Sequence, residues 1–225
     1  MTFIHLDLLT PIEMEARTDE ETGKRVYFTP EGNKYPSCTT VIGSNPTKMK
    51  GIMKWRRQVG EEKANNISKR STTRGTKYHS IVEDYINNEL NLEDHSDQPL
   101  PVVMFKHSKD TLDRINKIYL QEAALYSDVL RLAGRVDCIA EFDGRLSIID
   151  FKTSAKPKRV KYLYDYFVQE CAYACMLKER YDLHAEQLVT IVVCEDGETQ
   201  VEVRPVKKEY LNSLLQYIDE YNGKK

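Results

Sequence analysis

Asp137, Asp150 and Lys152 are the residues of this 225-residue chain whose types and spacing fit a chemical task. They lie in Gly134-Arg135-Val136-Asp137-Cys138-Ile139-Ala140-Glu141-Phe142-Asp143-Gly144-Arg145-Leu146-Ser147-Ile148-Ile149-Asp150-Phe151-Lys152, two apolar runs about an Asp-Gly pair. Asp-Gly in that setting predicts a two-residue type I′ hairpin, because both central residues of that turn need positive φ. Counting outward from the turn, Phe142 faces Arg145, Ala140 faces Ser147 and Asp137 faces Asp150. Directly opposed residues share a face, with Cβ atoms roughly 4.5–5.5 Å apart. Lys152, two residues beyond Asp150, points the same way. Like charges opposed on a sheet repel, and buried charges need a partner or a metal. In a bare Asp-x-Lys, the lysine neutralising one carboxylate is the ordinary reading. Two aspartates in cross-strand register favour instead a hard divalent cation with oxygen ligands, such as Mg²⁺.

The order Asp, hairpin, Asp/Glu-x-Lys resembles the signature of the PD-(D/E)xK nucleases. Gly-Arg-Val-Asp and Ile-Asp-Phe-Lys-Thr-Ser resemble the RecB-like branch, and within it the mitochondrial genome maintenance exonuclease group and its phage-encoded relatives. The resemblance implies a restriction-endonuclease-like α/β core that cleaves DNA phosphodiesters with Mg²⁺ or Mn²⁺. Asp137 and Asp150 would bind the metal, helped by the Phe151 carbonyl. Lys152 would orient or deprotonate the attacking water and share in charge stabilisation, since a desolvated lysine loses its proton readily.

Further matches follow the family's order. Gly75-Thr76-x-x-His79 resembles the RecB-like motif ahead of the hairpin, which implies that His79 helps bind metal; an isolated histidine there is otherwise structural or exposed. Thr76 is expected to cap a helix running to about Leu90, with free N–H groups for a phosphate. Glu83, one turn after His79, is a supporting candidate. Glu122 sits where such nucleases often carry an acid on the first strand; it could support the metal ligands or face solvent. Gln169-x-x-x-Tyr173 resembles the motif that follows Asp-x-Lys and contacts DNA, on a helix that Asp165 is expected to cap.

Positive charge is local. From Thr47 to Arg70 the chain is helical in pattern, with Gly51 and Gly60 as weak points. It carries Lys54, Arg56, Arg57 and five more cations against Glu61 and Glu62. Such a cluster, with Arg74 nearby, reads as a phosphate-binding surface, or as a solvated helix face; Trp55 within it reads as core. Trp55 to Asn65 again resembles the mitochondrial-type and phage exonucleases. The loop after Lys152 adds Lys156 and Lys158 beside the site, kept non-helical by Pro157.

The remaining chain supplies the scaffold. Turn signals around Arg25–Phe28 predict a peripheral hairpin, and Ser37 a short capped helix broken before Pro46. A helix is expected over about 102–118, strands over 119–125 and 187–194, an Asp196-Gly197 hairpin, and a closing helix over 207–221.

Net charge is −2, so overall charge does not announce nucleic acid. Five cysteines, without a basic n-region or apolar run in residues 1–9, predict reduced thiols in an intracellular, cytoplasmic setting (host cytoplasm for a phage protein) and no membrane span. Cys171 and Cys175 lack the clustered trio that some RecB-like relatives use, so no iron–sulfur cluster is expected. We therefore expect one α/β nuclease domain over 1–225. Its N-terminal hairpin and basic helical decoration would occupy 1–72, and a catalytic core with a mixed sheet flanked by helices 73–225. The expected activity is metal-dependent exonucleolytic cleavage, preferring single-stranded DNA, by a monomer. A duplex-end exonuclease, an endonuclease with the same core, or a non-catalytic DNA-binding protein are the alternatives.

Overall fold

A computed structural model describes residues 2–223; Met1, Lys224 and Lys225, the ends of the expected unit, lie outside the described residues. Three short strands come first: β1 (Glu15–Thr18), β2 (Arg25–Phe28) and β3 (Lys34–Pro36). They form an antiparallel sheet in that order, one strand more than the expected hairpin. Helices α1 (Cys38–Gly43), α2 (Pro46–Val59), α3 (Glu61–Ile86) and α4 (Pro99–Leu112) follow. Strands β4 (Ile115–Ser127), β5 (Leu132–Phe142) and β6 (Arg145–Ser154) lead to α5 (Tyr164–Tyr181). Strands β7 (Gln187–Cys194) and β8 (Thr199–Pro205) and helix α6 (Lys208–Tyr221) close the chain.

The main sheet runs β4-β5-β6-β7-β8. Its pairs are antiparallel except β6/β7. A parallel pair needs a long crossover, and α5 is that crossover. The result is the mixed sheet with flanking helices expected from the sequence. Alternation along β6 divides the core. Ile148 faces a cluster with Phe167, Val168 and Leu177 of α5 and Leu214 of α6. Ile149 and Phe151 face a second cluster with Tyr78, Ile81 and Ile86 of α3 and Met104 of α4. Bridges from His5 to Ile118 and from Ile12 to Ala124 cover the outer edge of β4, which would otherwise offer unpaired backbone groups.

Several local expectations meet competition from packing. Ser37 does cap α1, its hydroxyl accepting from Thr40 N. Thr76 starts no helix: it lies inside α3, which begins at Glu61 and offers no free N–H groups there. Gly75 disfavours helix locally by about 1 kcal/mol. The buried stripe of Arg74, Tyr78, Ile81, Val82 and Ile86 holds the helix continuous past it. The helix expected to reach 118 stops at Leu112, because Ile115 already pairs with Phe142. Asp165 makes no cap; Leu163 is the N-cap of α5, and Asp165 in the first turn instead pairs with Lys48 Nζ at 3.0 Å. Trp55 is half-buried rather than core, since α2 buries none of its residues.

Candidate metal and catalytic site

The β5–β6 turn has the expected form: Asp143 (φ 51°) and Gly144 (φ 77°) are both left-handed. The register also follows the count, Phe142 with Arg145 and Ala140 with Ser147, as far as Cys138 with Ile149. There the ladder ends, one step short of the expected Asp137/Asp150 pair. Strand β6 continues on its other side, with Asp150 opposite Thr190 and Lys152 opposite Val192. The Asp137 carboxylate takes over the role of the missing ladder partner: its Oδ2 accepts from Phe151 N at 2.8 Å. The two strands part where the acids lie, and the opening is the site.

Opposite Asp137 on the other side of β5 is Glu122. The β4–β5 register passes from Gln121/Cys138 to Ala123/Val136 and leaves Glu122 unpaired between them. Its φ of 45° is left-handed, a conformation costing a non-glycine residue about 1–3 kcal/mol and concentrated at functional sites. The twist brings Glu122 Oε1 within 3.9 Å of His79 Nδ1, while Asp137 Oδ2 is 3.8 Å from the same nitrogen. His79, Glu122 and Asp137 thus offer three donor atoms within 4.8 Å of one another.

Helix α3 delivers His79 from the α3/α4 face. Its Nε2 lies 2.8 Å from the Phe151 carbonyl oxygen. When Nε2–H donates there, Nδ1 is an unprotonated lone pair facing two carboxylates, an arrangement that calls for a cation or a proton between them. Burial of the ring works against its proton, yet Glu122 and Asp137 outweigh burial and push the His79 pKa up to about 9. The donor set, one imidazole and two carboxylates, suits a divalent ion that accepts nitrogen and oxygen ligands. The Phe151 carbonyl, expected as a ligand, is engaged by His79 here.

Asp150 and Lys152 form the other half of the opening. Asp150 is 2% exposed. It pairs with Lys152 Nζ, and its Oδ1 accepts from Gln169 Nε2 at 3.2 Å. Burial raises the Asp150 pKa, with Asp137 adding to the shift and Lys152 opposing it. Burial disfavours the Lys152 ammonium, but Asp150 and Asp137 outweigh burial and hold it above the ordinary lysine range. The sequence leads us to expect a lysine that loses its proton through desolvation; here the two carboxylates oppose that loss.

The other sequence candidates separate. Gln169 reaches Asp150, as described. Tyr173 is 2% exposed and packs against Gly134, where an added Cβ would lie 2.7 Å from the Tyr173 hydroxyl oxygen. It offers no surface to a strand; it fixes α5 against β5. Glu83 lies outside the three-residue group, and burial with the nearby Glu122 and Asp84 raises its pKa. Arg74 is 8% exposed, pairs with Glu195 and donates to Thr153 Oγ1 at 3.2 Å. It ties α3 to the ends of β6 and β7, so a phosphate would have to displace Glu195. Arg56 pairs with Glu61 across the α2–α3 bend. Lys54, Arg57 and Lys156 are exposed, while Lys158 is half-buried and donates to Tyr166 Oη at 2.8 Å.

One buried acid escaped the sequence reading. Glu170 is fully buried, accepts from Thr190 Oγ1 and has its Oε2 without a hydrogen-bond partner. Burial, with Asp150 nearby, raises its pKa well above the usual carboxylate range. Its place beside Gln169 on a helix facing β7 was the available signal.

The family model for the PD-(D/E)XK nuclease superfamily matches residues 51–221. Human mitochondrial genome maintenance exonuclease 1 is 24% identical over 174 residues, covering 73% of this chain and 51% of that protein. The mouse protein of the same name is 25% identical over the same shares. In Xenopus tropicalis the value is 30% over 110 residues, covering 46% of this chain and 32% of the relative. The chain spans about half the length of the human and mouse relatives. A solved structure of a putative exonuclease from Eubacterium rectale aligns with TM-score 0.43 and 11% identity, over 65% of this chain and 64% of that one.

Proposed function

Because the chain belongs to the PD-(D/E)XK nuclease superfamily, we propose that it is a Mg²⁺- or Mn²⁺-dependent exonuclease acting on single-stranded DNA ends in replication, recombination or repair. The observation that carries the reading is the opening between β5 and β6. His79, Glu122 and Asp137 converge there beside the Asp150–Lys152 pair. Glu122, at first a supporting candidate, joins His79, Asp137 and Asp150 as a residue that would hold the ion. A bound divalent ion supplies Lewis acidity and a more acidic water.

The protein's own groups do the rest. Lys152, charged and only partly exposed, is a donor for the negative charge that grows on the phosphate oxygens as water attacks. Gln169 holds the Asp150 carboxylate in place, and Asp137 clamps the β6 backbone through Phe151 N. Exposed Lys54, Arg57 and Lys156 would meet the phosphates of the strand. The exonuclease names of the relatives, the resemblance of Trp55 to Asn65 and the exposed basic helix support attack from an end.

Labelled single strands, linear and circular, incubated in EDTA, Mg²⁺ or Mn²⁺ test the proposal. Linear strands should be degraded only with metal, and circles should resist. Rapid cutting of circles would make the protein an endonuclease. No cutting in either metal would leave a DNA-binding protein on a nuclease scaffold.

A further inference from the structure

Beside the catalytic lysine lies a groove of about 700 Å³ between α2 and the segment that enters α5. We propose that this groove binds the unpaired strand next to the scissile phosphate, with its tyrosines as stacking platforms for bases. The proposal rests on the nuclease reading above and names the subsite that reading lacks.

Four tyrosines line the groove: Tyr162, Tyr164, Tyr166 and Tyr217. Tyr162 is 64% exposed, a large apolar ring with no place in the core. Lys161 Nζ lies 5.0 Å from the centre of its ring. At the inner end, the Tyr166 ring lies 5.1 Å from Lys152 Nζ, so one ring borders both the groove and the proposed catalytic site. Its wall is built, not loose: Gln200 accepts from Lys158 N and donates to Lys158 O, both at 3.0 Å.

Charge agrees with a phosphate backbone. The one acid among the described lining residues is Asp165, and Lys48 Nζ neutralises it at 3.0 Å. That pair also ties the first turn of α2 across to the first turn of α5. Exposed Lys161 remains for a phosphate, while Lys158 Nζ is held by the Tyr166 hydroxyl oxygen at 2.8 Å. Rings beside cations are the chemistry of single-strand binding: every base has a π-face to stack, and ammonium groups follow the backbone. A duplex hides those faces between its base pairs, so the groove fits an unpaired strand.

The test uses the full chain in EDTA, where binding is read without cleavage, with labelled oligo(dT) and a duplex of equal length. Tyr162→Ala should weaken oligo(dT) binding about tenfold, as loss of one stacked base does. Tyr162→Phe, which keeps the ring, should bind like wild type. Lys161→Ala should lower the salt dependence, since one phosphate fewer is neutralised. Duplex affinity should not change with either tyrosine variant. Tyr162 is exposed enough that the variants should melt with wild type. Unchanged oligo(dT) affinity in Tyr162→Ala, an equal loss in Tyr162→Phe, or an equal loss for duplex would each overturn the groove, even where wild type cleaves normally. A wild-type protein that binds oligo(dT) through Tyr162 yet cuts nothing in Mn²⁺ would support the groove and defeat the nuclease reading.

Discussion

Helices α2 and α3 are neighbours that each carry five lysines and arginines, and they end in opposite circumstances. In α3 four acids offset the cations, α2 has none, and only Gly60 separates the two. Helix α3 buries Tyr78, Ile81, Val82 and Ile86 against the sheet and holds His79 at the opening of β5 and β6. Helix α2 buries nothing; Met49, Ile52 and Met53 are exposed beside its cations. Fixing a group for chemistry requires packed neighbours on several sides. Following a flexible, charged strand requires surface, and rigid burial would obstruct it. On the proposed reading, the contrast separates a catalytic region, where changes should act on turnover, from a holding region, where they should act on binding.

The largest effect should come from Lys152→Ala. Loss of a charge-stabilising donor typically lowers turnover about 10²–10³-fold, and here strand binding in EDTA should persist. Single-turnover rates at saturating DNA, beside anisotropy titrations, check both halves. A variant that cuts at near wild-type rate would remove Lys152 from the chemistry and blur the division between the helices.

Charge reversal at Lys54 and Arg57 probes the other side. Arg56 is left alone because Glu61 already holds it. Affinity for single strands should fall, and the slope of log affinity against log salt should drop by about 0.7 for each phosphate no longer neutralised. Turnover at saturating DNA should not change. An unchanged slope would show that α2 faces away from the strand.

A smaller effect is expected at Glu170, and on stability alone. The folded protein keeps a proton on Glu170 that the unfolded chain releases above its ordinary pKa of 4.5. Folded-state stability from this group therefore declines as pH rises from there through the raised folded value. Glu170→Gln mimics the protonated acid and removes the decline. Melting profiles across pH should show the variant level with wild type near that lower value and roughly 2–4 °C above it in neutral buffer. A variant that melts lower at neutral pH would mean that Glu170 is ionised in the fold.

How much of this was legible follows from where each residue gets its instructions. Asp143-Gly144 fixes its own turn, and that turn fixes the register down to Cys138 and Ile149. Ser37 likewise caps a helix by a contact three residues away. The family's motif order brought His79, Asp137, Asp150 and Lys152 together from sequence alone. The left-handed backbone at Glu122 was not legible, because Gln121-Glu122-Ala123 reads as ordinary strand and nothing local marks the lost pairing with Asp137. Arg74 read as a free cation, since its partner Glu195 lies 121 residues away. The parting of β5 from β6 was hidden too: a hairpin count assumes the ladder continues, and here the Asp137 carboxylate replaces it.

The most direct test of the central claim, that this opening is built for a divalent cation, is the melting temperature in Mn²⁺ against EDTA. An ion that binds only the folded form stabilises it by about 2.7 kcal/mol at roughly 100 times its dissociation constant. Wild type should therefore melt higher in Mn²⁺. Asp137→Asn and Glu122→Gln should lose most of that shift. In EDTA at neutral pH, Glu122→Gln should melt lower than wild type, because Glu122 stabilises the protonated His79 ring. Equal Mn²⁺ shifts in wild type and both variants would contradict the account, placing any bound ion somewhere other than between β5 and β6.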